Sequence, residues 1–375
     1  MKFSVERDVL ADAVAWASRA VPHRPPVPVL AGVLVEADAA GTVTLSSFDY
    51  EVSARGEFAA DVEASGSVLV SGRLLREIAS ALPHKPVTFE LDGSKVSVTC
   101  GASRFSLATM PVDQYPALPV MPDVSGVVDG SELLAAAQQV QAAASRDETL
   151  PILTGVRIEI EGEQISLLAT DRYRLALREL TWKPAKPDMS AVALVRAKTL
   201  ADTAKTLGSG EVEVALSSGQ GVDLIGFSAG GLTTTSLLMD GEYPPVRRLF
   251  PESSSITAIV STSDLIEATR RVSLVAERNS AVRLAFTEGE VVLDAGHSDD
   301  AQASEALEAT VEGGDITVAF NPSYLLDGLS ALDAPYVRLG FTQETKPVDF
   351  VGIDKPDGTL KSEFRYLLVP IRISS

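Results

Sequence analysis

A chain of 375 residues with 45% hydrophobic and 22% charged residues can bury a separate core in each of two or three domains. No apolar run approaches the roughly 18 residues of a membrane helix, residues 1–10 carry charges where an export signal would carry its apolar core, and the lone Cys100 excludes an internal disulfide, so a cytosolic protein is expected. Fifty-one acidic residues against 32 basic ones give a net charge of −19, which on its face argues against a polyanionic partner.

In chain order, residues 2–5 read as a strand. Residues 6–19 read as a helix, because Val9, Leu10, Ala13, Val14 and Ala17 recur with the 3.6-residue period, and Trp16 is assigned to the core. The run His23, Arg24, Pro25, Pro26 ends that helix, since proline removes a backbone donor and fixes φ. Arg24 at the loop tip is open to two readings, a solvated arginine or a phosphate contact. Strands at 33–37, 43–47, 50–58 and 68–70 follow, then a helix at 72–82 and strands at 87–91, 95–100 and 104–109. Phe105 and Leu107 alternate with Arg104 and Ser106, which gives one apolar face; spacing does not say whether it is core or interface.

The stretch 150–177, LPILTGVRIEIEGEQISLLATDRYRLAL, reads as a hairpin turning at Gly162 and feeding a third strand at 173–177. Its wording repeats an earlier one. Residues 27–33 match 150–156 at an offset of 123, and Phe48, Asp49, Tyr50 match Thr170, Asp171, Arg172 at 122. Helix windows 72–82, 197–207 and 321–332 superpose through Leu82, Leu207 and Leu332, each 125 apart, while windows 6–19, 131–146 and 263–278 head the three copies. Tyr115-Pro116 echoes Tyr243-Pro244 before two proline-rich junctions. The chain is therefore three copies of one α+β unit, placed at 1–122, 123–251 and 252–375.

The negative charge is spread unevenly, which reopens the question of a polyanionic partner. The six helix windows hold ten basic and ten acidic residues, so the whole −19 lies elsewhere. Neutral helices framed by an acidic body suit a surface that tolerates a polyanion, although chance gives the same balance.

No catalytic constellation emerges. His23, His84 and His297 occupy non-equivalent places without metal-ligand spacing. Gly208, Ser209, Gly210 and Gly219, Gln220, Gly221 read as hairpin turns without the lysine of a phosphate loop. Asp171 beside Arg172 and Arg174 reads as salt bridges, and Asp299-Asp300 lacks the further ligands of a calcium loop. The connector YPPVRRLFP (243–251) and the tail FRYLLVPIRI (364–373) carry apolar side chains whose exposure would be costly, so each must meet the fold or a partner.

Together, the three copies, the arginine-proline loop followed by PVPVL and glycine, the strand ATDRYRLA, the connector YPPVRRLFP and the terminal YLLVPIR resemble one family over the whole chain: the DNA polymerase III beta subunit, the bacterial sliding clamp. One departure is Arg172-Tyr173, where the family commonly has Gly-His. The resemblance implies three tandem clamp domains, with antiparallel sheets outside and two helices per domain inside, dimerising head to tail into a six-domain ring. It implies a processivity factor without catalytic activity or cofactor, loaded on primed DNA by an ATP-driven loader. Arg24 matches a DNA-contacting position, and Arg146, Arg196, Lys198 and Arg278 are further candidates on or beside inner helices. The dimer interface falls on Arg73, Phe105 and Leu107 in the first domain and on Leu274, placed in the helix 263–278. A pocket for partner peptides falls on Leu153, Thr170, Arg172, Tyr173, Arg174, Leu175, Pro244, Leu249, Leu367, Val369 and Ile371.

The implied partners are double-stranded DNA held without sequence preference, a second copy of the chain, the polymerase III alpha subunit, the clamp loader, other polymerases, ligase and mismatch-repair proteins, the proteins through short hydrophobic peptides and none at a membrane. The implied location is the cytoplasm, at the nucleoid. Three rival readings are a second clamp copy that lowers sensitivity to a clamp-directed antibiotic through Arg172 and Tyr173, a monomeric three-domain binder, and an enzyme with a domain-junction site.

Overall fold

The computed structural model describes the chain except residues 218–222, 277–279, 299–300 and 373–375. Arg278, the Gly219–Gly221 and Asp299–Asp300 turns and the His297 side chain therefore lie outside the described residues. Each sequence repeat supplies two helices: α1 (Arg7–Ala17) and α2 (Gly72–Ala81), α3 (Gly130–Gln141) and α4 (Ala197–Leu207), α5 (Thr262–Val272) and α6 (Pro322–Ala331). Local capping starts three of them. The Ser71 and Ser261 side chains accept the Leu74 and Asp264 backbone N–H groups, and the Asn321 side chain accepts those of Ser323 and Tyr324 ahead of a first-turn proline. In α1 the expected stripe is buried apart from Val9, which is exposed, and the buried Trp16 donates its indole N–H to the Arg55 carbonyl at 3.0 Å. No helix among the described residues is long and apolar enough to cross a membrane.

Two helices stop earlier than their apolar windows. After Gln141 the Ala143 and Ala144 N–H groups bond three residues back, to Val140 and Gln141, so α3 closes and Arg146 lies in the following loop. After Val272 the Ser273 hydroxyl donates back to the Thr269 carbonyl and a 3-10 turn, Ser273–Val275, takes over. Leu274 is thus on a turn and not on the helix expected for it. Gly208 and Gly210 are not a hairpin either: with φ of 73° and 120° they lead from the end of α4 into the strand Glu211–Ser217, the left-handed glycine exit of a helix.

The strands form two antiparallel sheets, and the chain packs as two units that cut across the three repeats. One unit holds residues 1–131, 183–186 and 202–238 around a 14-stranded sheet; the other holds 132–182, 187–201 and 239–375 around a 12-stranded sheet. The central repeat is shared between them because its last strand pairs backwards and its fourth strand pairs forwards. In the first unit Val52–Ala59 pairs with Leu232–Leu237, with Ser53 opposite Thr235. In the second, Arg174–Thr181 pairs with Leu360–Leu368, with Leu175 opposite Leu367. One rule operates twice: the fourth strand of a repeat takes the last strand of the next.

That rule leaves two strands incomplete. Ala301–Glu312, the counterpart in the third repeat, pairs with Glu290–Ser298 along one side, but on the other it meets Ile256–Ser261 only from Ala309 onward. Ser103–Met110, the last strand of the first repeat, pairs fully with Lys95–Cys100 but meets Gly66–Ser71 only at Thr109 and Met110.

The backbone repeats as the sequence does. Tyr50 and Arg172 both have positive φ, 76° and 80°, and each follows an aspartate whose Oδ1 accepts two N–H groups, from Glu51 and Val52 in one case and from Tyr173 and Arg174 in the other. This turn consumes residues expected in strands, so the fourth strands begin at Val52 and Arg174 instead of Tyr50 and Tyr173.

Helix α6 seats directly on its sheet. A Cβ built on Gly328 would lie 2.2 Å from the Tyr366 ring, and the Tyr366 hydroxyl donates to the Tyr324 carbonyl at 2.8 Å. Gly328→Ala is therefore expected to cost about 1–3 kcal/mol by overpacking, read as a lower melting temperature. An unchanged melting temperature would mean that the contact relaxes freely.

Candidate functional site

The proposed pocket residues all fall in the second unit and fall together. Their base is an apolar cluster of Leu168, Leu175, Leu177, Leu194, Tyr243, Val246 and Leu367, with Ile152, Met239 and Phe250 packed against it. Leu153, Thr170, Leu175 and Leu367 are buried, and Pro244 is half-buried. Four of the proposed residues are apolar and face solvent: Tyr173, 54% exposed, Leu249, 53% exposed, and Val369 and Ile371. The elements that hold them interlock. Val369 donates its backbone N–H to the Tyr173 carbonyl at 2.9 Å, so the tail continues alongside the turn, and Ile371 donates to the Ala319 carbonyl at 2.7 Å. The tail is thus docked, as its apolar composition required, while keeping two side chains outward. An apolar surface with a rigid floor and several exposed anchors is suited to short hydrophobic peptides.

The turn at the pocket is fixed by a buried ion knot. Arg174 donates to Asp171 Oδ2 at 2.9 Å and to Asp327 Oδ2 at 2.6 Å, and its guanidinium lies 4.3 Å from the Tyr324 ring centre. Burial alone would lower its pKa, but Tyr366, Asp327 and Asp171 outweigh that and hold it above the ordinary arginine value. The Thr170 hydroxyl closes the same turn, donating to the Arg174 carbonyl at 2.6 Å and accepting the Arg172 N–H at 3.1 Å. Tyr173 stacks on Tyr324 with ring centres 6.2 Å apart. Burial pushes the Tyr366 hydroxyl up, so it stays a neutral donor. Tyr324 and Asp327, both on α6, escaped the sequence reading because nothing in an amphipathic helix window says which turn it will touch. Phe250 was visible as an apolar connector residue; the structure adds that Arg365 covers its ring at 4.7 Å while pairing with Asp349 at 2.7 Å.

A second concavity, about 930 Å³, lies in the same unit. It brings together three of the proposed DNA contacts, Arg146, Arg196 and Lys198, with the acids Glu148, Asp327 and Asp333. Arg146 and Lys198 are exposed, and Arg196 is half-buried and pairs with Glu148 at 3.7 Å. Arg24 is exposed on its loop in the other unit. Over the observed helix bounds there are seven basic and eight acidic residues, so the near-neutrality of the helices survives their exact limits. Of the proposed interface residues, Arg73 and Phe105 are exposed, and Leu274 is 84% exposed. Leu107, 4% exposed, belongs to the core of the first repeat with Val96 and Val98 and offers no surface of its own. Among the described residues no group of three or more His, Cys, Asp or Glu is placed to hold a metal ion.

Comparison with known proteins agrees along the whole chain. Family models of the DNA polymerase III beta subunit match in order: the N-terminal domain at residues 1–119, the central domain at 127–245 and the C-terminal domain at 247–361. The beta sliding clamp of Streptomyces coelicolor is 55% identical over 376 residues, covering all of both chains. The beta sliding clamp homolog GriR of Streptomyces muensis is 46% identical over 373 residues, covering 99% of each. The crystal structure of the Bacillus subtilis sliding clamp superposes with a TM-score of 0.91 at 27% identity, covering all of both chains.

Proposed function

The chain belongs to the DNA polymerase III beta-subunit family, and from that premise we propose how its surfaces divide the work of a sliding clamp. It is a processivity factor and not a catalyst: three tandem clamp domains, six in a ring when two chains associate, keep a polymerase near its primer end. Tethering works by raising local concentration, which needs no chemistry from the clamp.

The observation that carries the arrangement is the pair of incomplete strands. The fourth strand of each repeat takes the last strand of the following repeat except in the third repeat, and every last strand is taken except in the first. A second copy supplies both missing partners, Ala301–Glu312 of one chain against Ser103–Met110 of the other, twice over. A head-to-tail contact that closes after two copies makes a ring instead of a filament. The edge Ser103–Met110 bears Arg104 and the edge Ala301–Glu312 bears the exposed Glu308, beside Glu305, which pairs with Arg271, so the two edges carry opposite charges. Arg73, Phe105 and Leu274 add the side-chain contacts, while Leu107 supports the edge from beneath. Domain limits at 122/123 and 251/252 place the junctions just before the strands Val124–Asp129 and Ile256–Ser261.

DNA is held by topology. Near-neutral helices with a few cations, Arg24, Arg146, Arg196 and Lys198, allow phosphate contacts that exchange easily, whereas a strongly basic lining would bind tightly and resist sliding. Polymerase and other replication and repair proteins bind through the apolar surface built on Leu175, Leu249, Leu367, Val369 and Ile371. The cytoplasm, at the nucleoid, is where such a protein acts. A resistance copy is the weaker reading, because the chain is closer to the Streptomyces coelicolor clamp than to GriR.

The test is retention on circular against linearised nicked plasmid, after loading with a cognate loader and ATP, at salt high enough to suppress phosphate contacts. Retention on the circle and loss on linearisation is expected, since electrostatic binding does not distinguish the two forms. Equal loss from both, with an active loader, would sink the clamp reading.

A further inference from the structure

The rim of the apolar surface carries an arginine that the fold does not use. Arg172 is exposed, its guanidinium lies 6.0 Å from the Tyr173 ring centre, and it makes no ion pair among the described residues. The nearby acids are committed elsewhere. Asp171 gives Oδ1 to the Tyr173 and Arg174 N–H groups and Oδ2 to the Arg174 side chain. Asp147, whose carboxyl feels the Arg172 charge, gives Oδ1 to both the N–H and the hydroxyl of Thr149. Arg172 also occupies a backbone position, φ 80°, that an arginine adopts only at a cost of roughly 1–3 kcal/mol. Of the non-glycine residues with positive φ among the described residues, Tyr50, Arg172 and Asp333, Arg172 is the one that carries a cation. Around the same patch Arg248 and Arg372 are likewise exposed and make no ion pair among the described residues, each adjacent in sequence to an outward apolar side chain, Leu249 and Ile371.

We propose that Arg172 is a specificity-determining residue of the partner pocket, selecting hydrophobic peptides that carry an aspartate or glutamate side chain over Tyr173. The inference rests on the pocket reading above. Apolar anchors alone fit any hydrophobic peptide of suitable spacing. A fixed cation beside them discriminates by charge, favouring acidic peptides and repelling basic ones. Tyr324 stacks on the Tyr173 ring and the Arg172 guanidinium lies 6.0 Å from its centre, so a peptide carboxylate that reaches the guanidinium lies beside an aromatic side chain that is itself held in place.

The experiment is fluorescence polarisation with the full-length protein and labelled, C-terminally amidated peptides of identical apolar anchors. They differ only in an aspartate, an asparagine or a lysine at the Tyr173 end, and the amide removes any contribution from a terminal carboxylate. At low salt the aspartate peptide should bind the wild-type protein about three- to fivefold more tightly than the asparagine peptide, the range of an exposed ion pair. That advantage should shrink at high salt. Arg172→Gly, which suits the left-handed backbone and so folds, should bind both peptides equally. Arg172→Asp, also tolerant of positive φ, should prefer the lysine peptide. Equal binding of aspartate and asparagine peptides by the wild-type protein would overturn the proposal. So would an advantage that survives Arg172→Gly, and its loss in Arg248→Ala instead would place the selecting charge on the connector. Failure of all three peptides to bind the wild-type protein would remove the pocket itself.

Discussion

Replacing Arg174 with alanine should destabilise the second unit by about 3–5 kcal/mol, because the substitution removes the cation from the nearly buried pair with Asp171 and leaves that carboxylate, with the partly exposed Asp327 nearby, without it. The loss reaches further than one ion pair. Arg174 also packs on Tyr324, and Asp171 organises the turn that carries Arg172 and Tyr173, so the outward anchors lose their support. Peptide binding should fall more than tenfold even though the truncated side chain is itself buried. A protein of several domains need not unfold in one step, so the informative readout is local: hydrogen exchange of the strands Arg174–Thr181 and Leu360–Leu368, which pair directly. Protection in the first unit should be untouched. Asp327→Asn should cost much less, because the Asp327 side chain is partly exposed and its loss leaves Arg174 still paired with Asp171. If Arg174→Ala melts like the wild-type protein and its strands exchange no faster, the knot is not what holds the turn.

The same knot marks the limit of what sequence alone discloses. The match of Phe48-Asp49-Tyr50 to Thr170-Asp171-Arg172 was legible as a repeat but not as a turn, because the aspartate that accepts two N–H groups is seen only once the backbone is in place. The burial of Arg174 was not legible. Asp171 is local and its pairing was readable, but the other partners sit at two remote places, the helix α6 and the strand Leu360–Leu368, and only tertiary packing brings them within reach. Helix existence followed from apolar period and from the repeat, and the windows 72–82, 197–207 and 321–332 ended within a residue of the helices, whereas 131–146 and 263–278 overran because Ser273 and the Ala143–Ala144 turn close their helices through local hydrogen bonds that the period does not encode. The repeat predicted three domains. Which strands each domain lends to its neighbours was hidden, because strand partners are chosen by edges and not by spacing.

Leu274→Ala should leave the monomer folded and weaken the dimer severely. Leu274 is 84% exposed on its 3-10 turn, so truncation removes almost nothing from the protomer's own core. Burying an exposed leucine on association contributes about 1.5–3 kcal/mol, and a two-fold ring buries it at both junctions. The dimer therefore loses about 3–6 kcal/mol, a factor of roughly 10² to 10⁴ in dissociation constant. Sedimentation analysis over a range of concentrations should show monomer where the wild-type protein is dimeric, and retention on circular DNA should fall to the level on linear DNA. Leu107→Ala provides the contrast. That side chain packs with Val96 and Val98 inside the first repeat, so its truncation should cost about 2–5 kcal/mol of folding stability and affect association only through the strand it supports. A Leu274→Ala protein that stays dimeric at the wild-type dissociation constant would remove that turn from the junction. A Leu107→Ala protein of unchanged stability would mean that the Ser103–Met110 edge does not depend on the core beneath it.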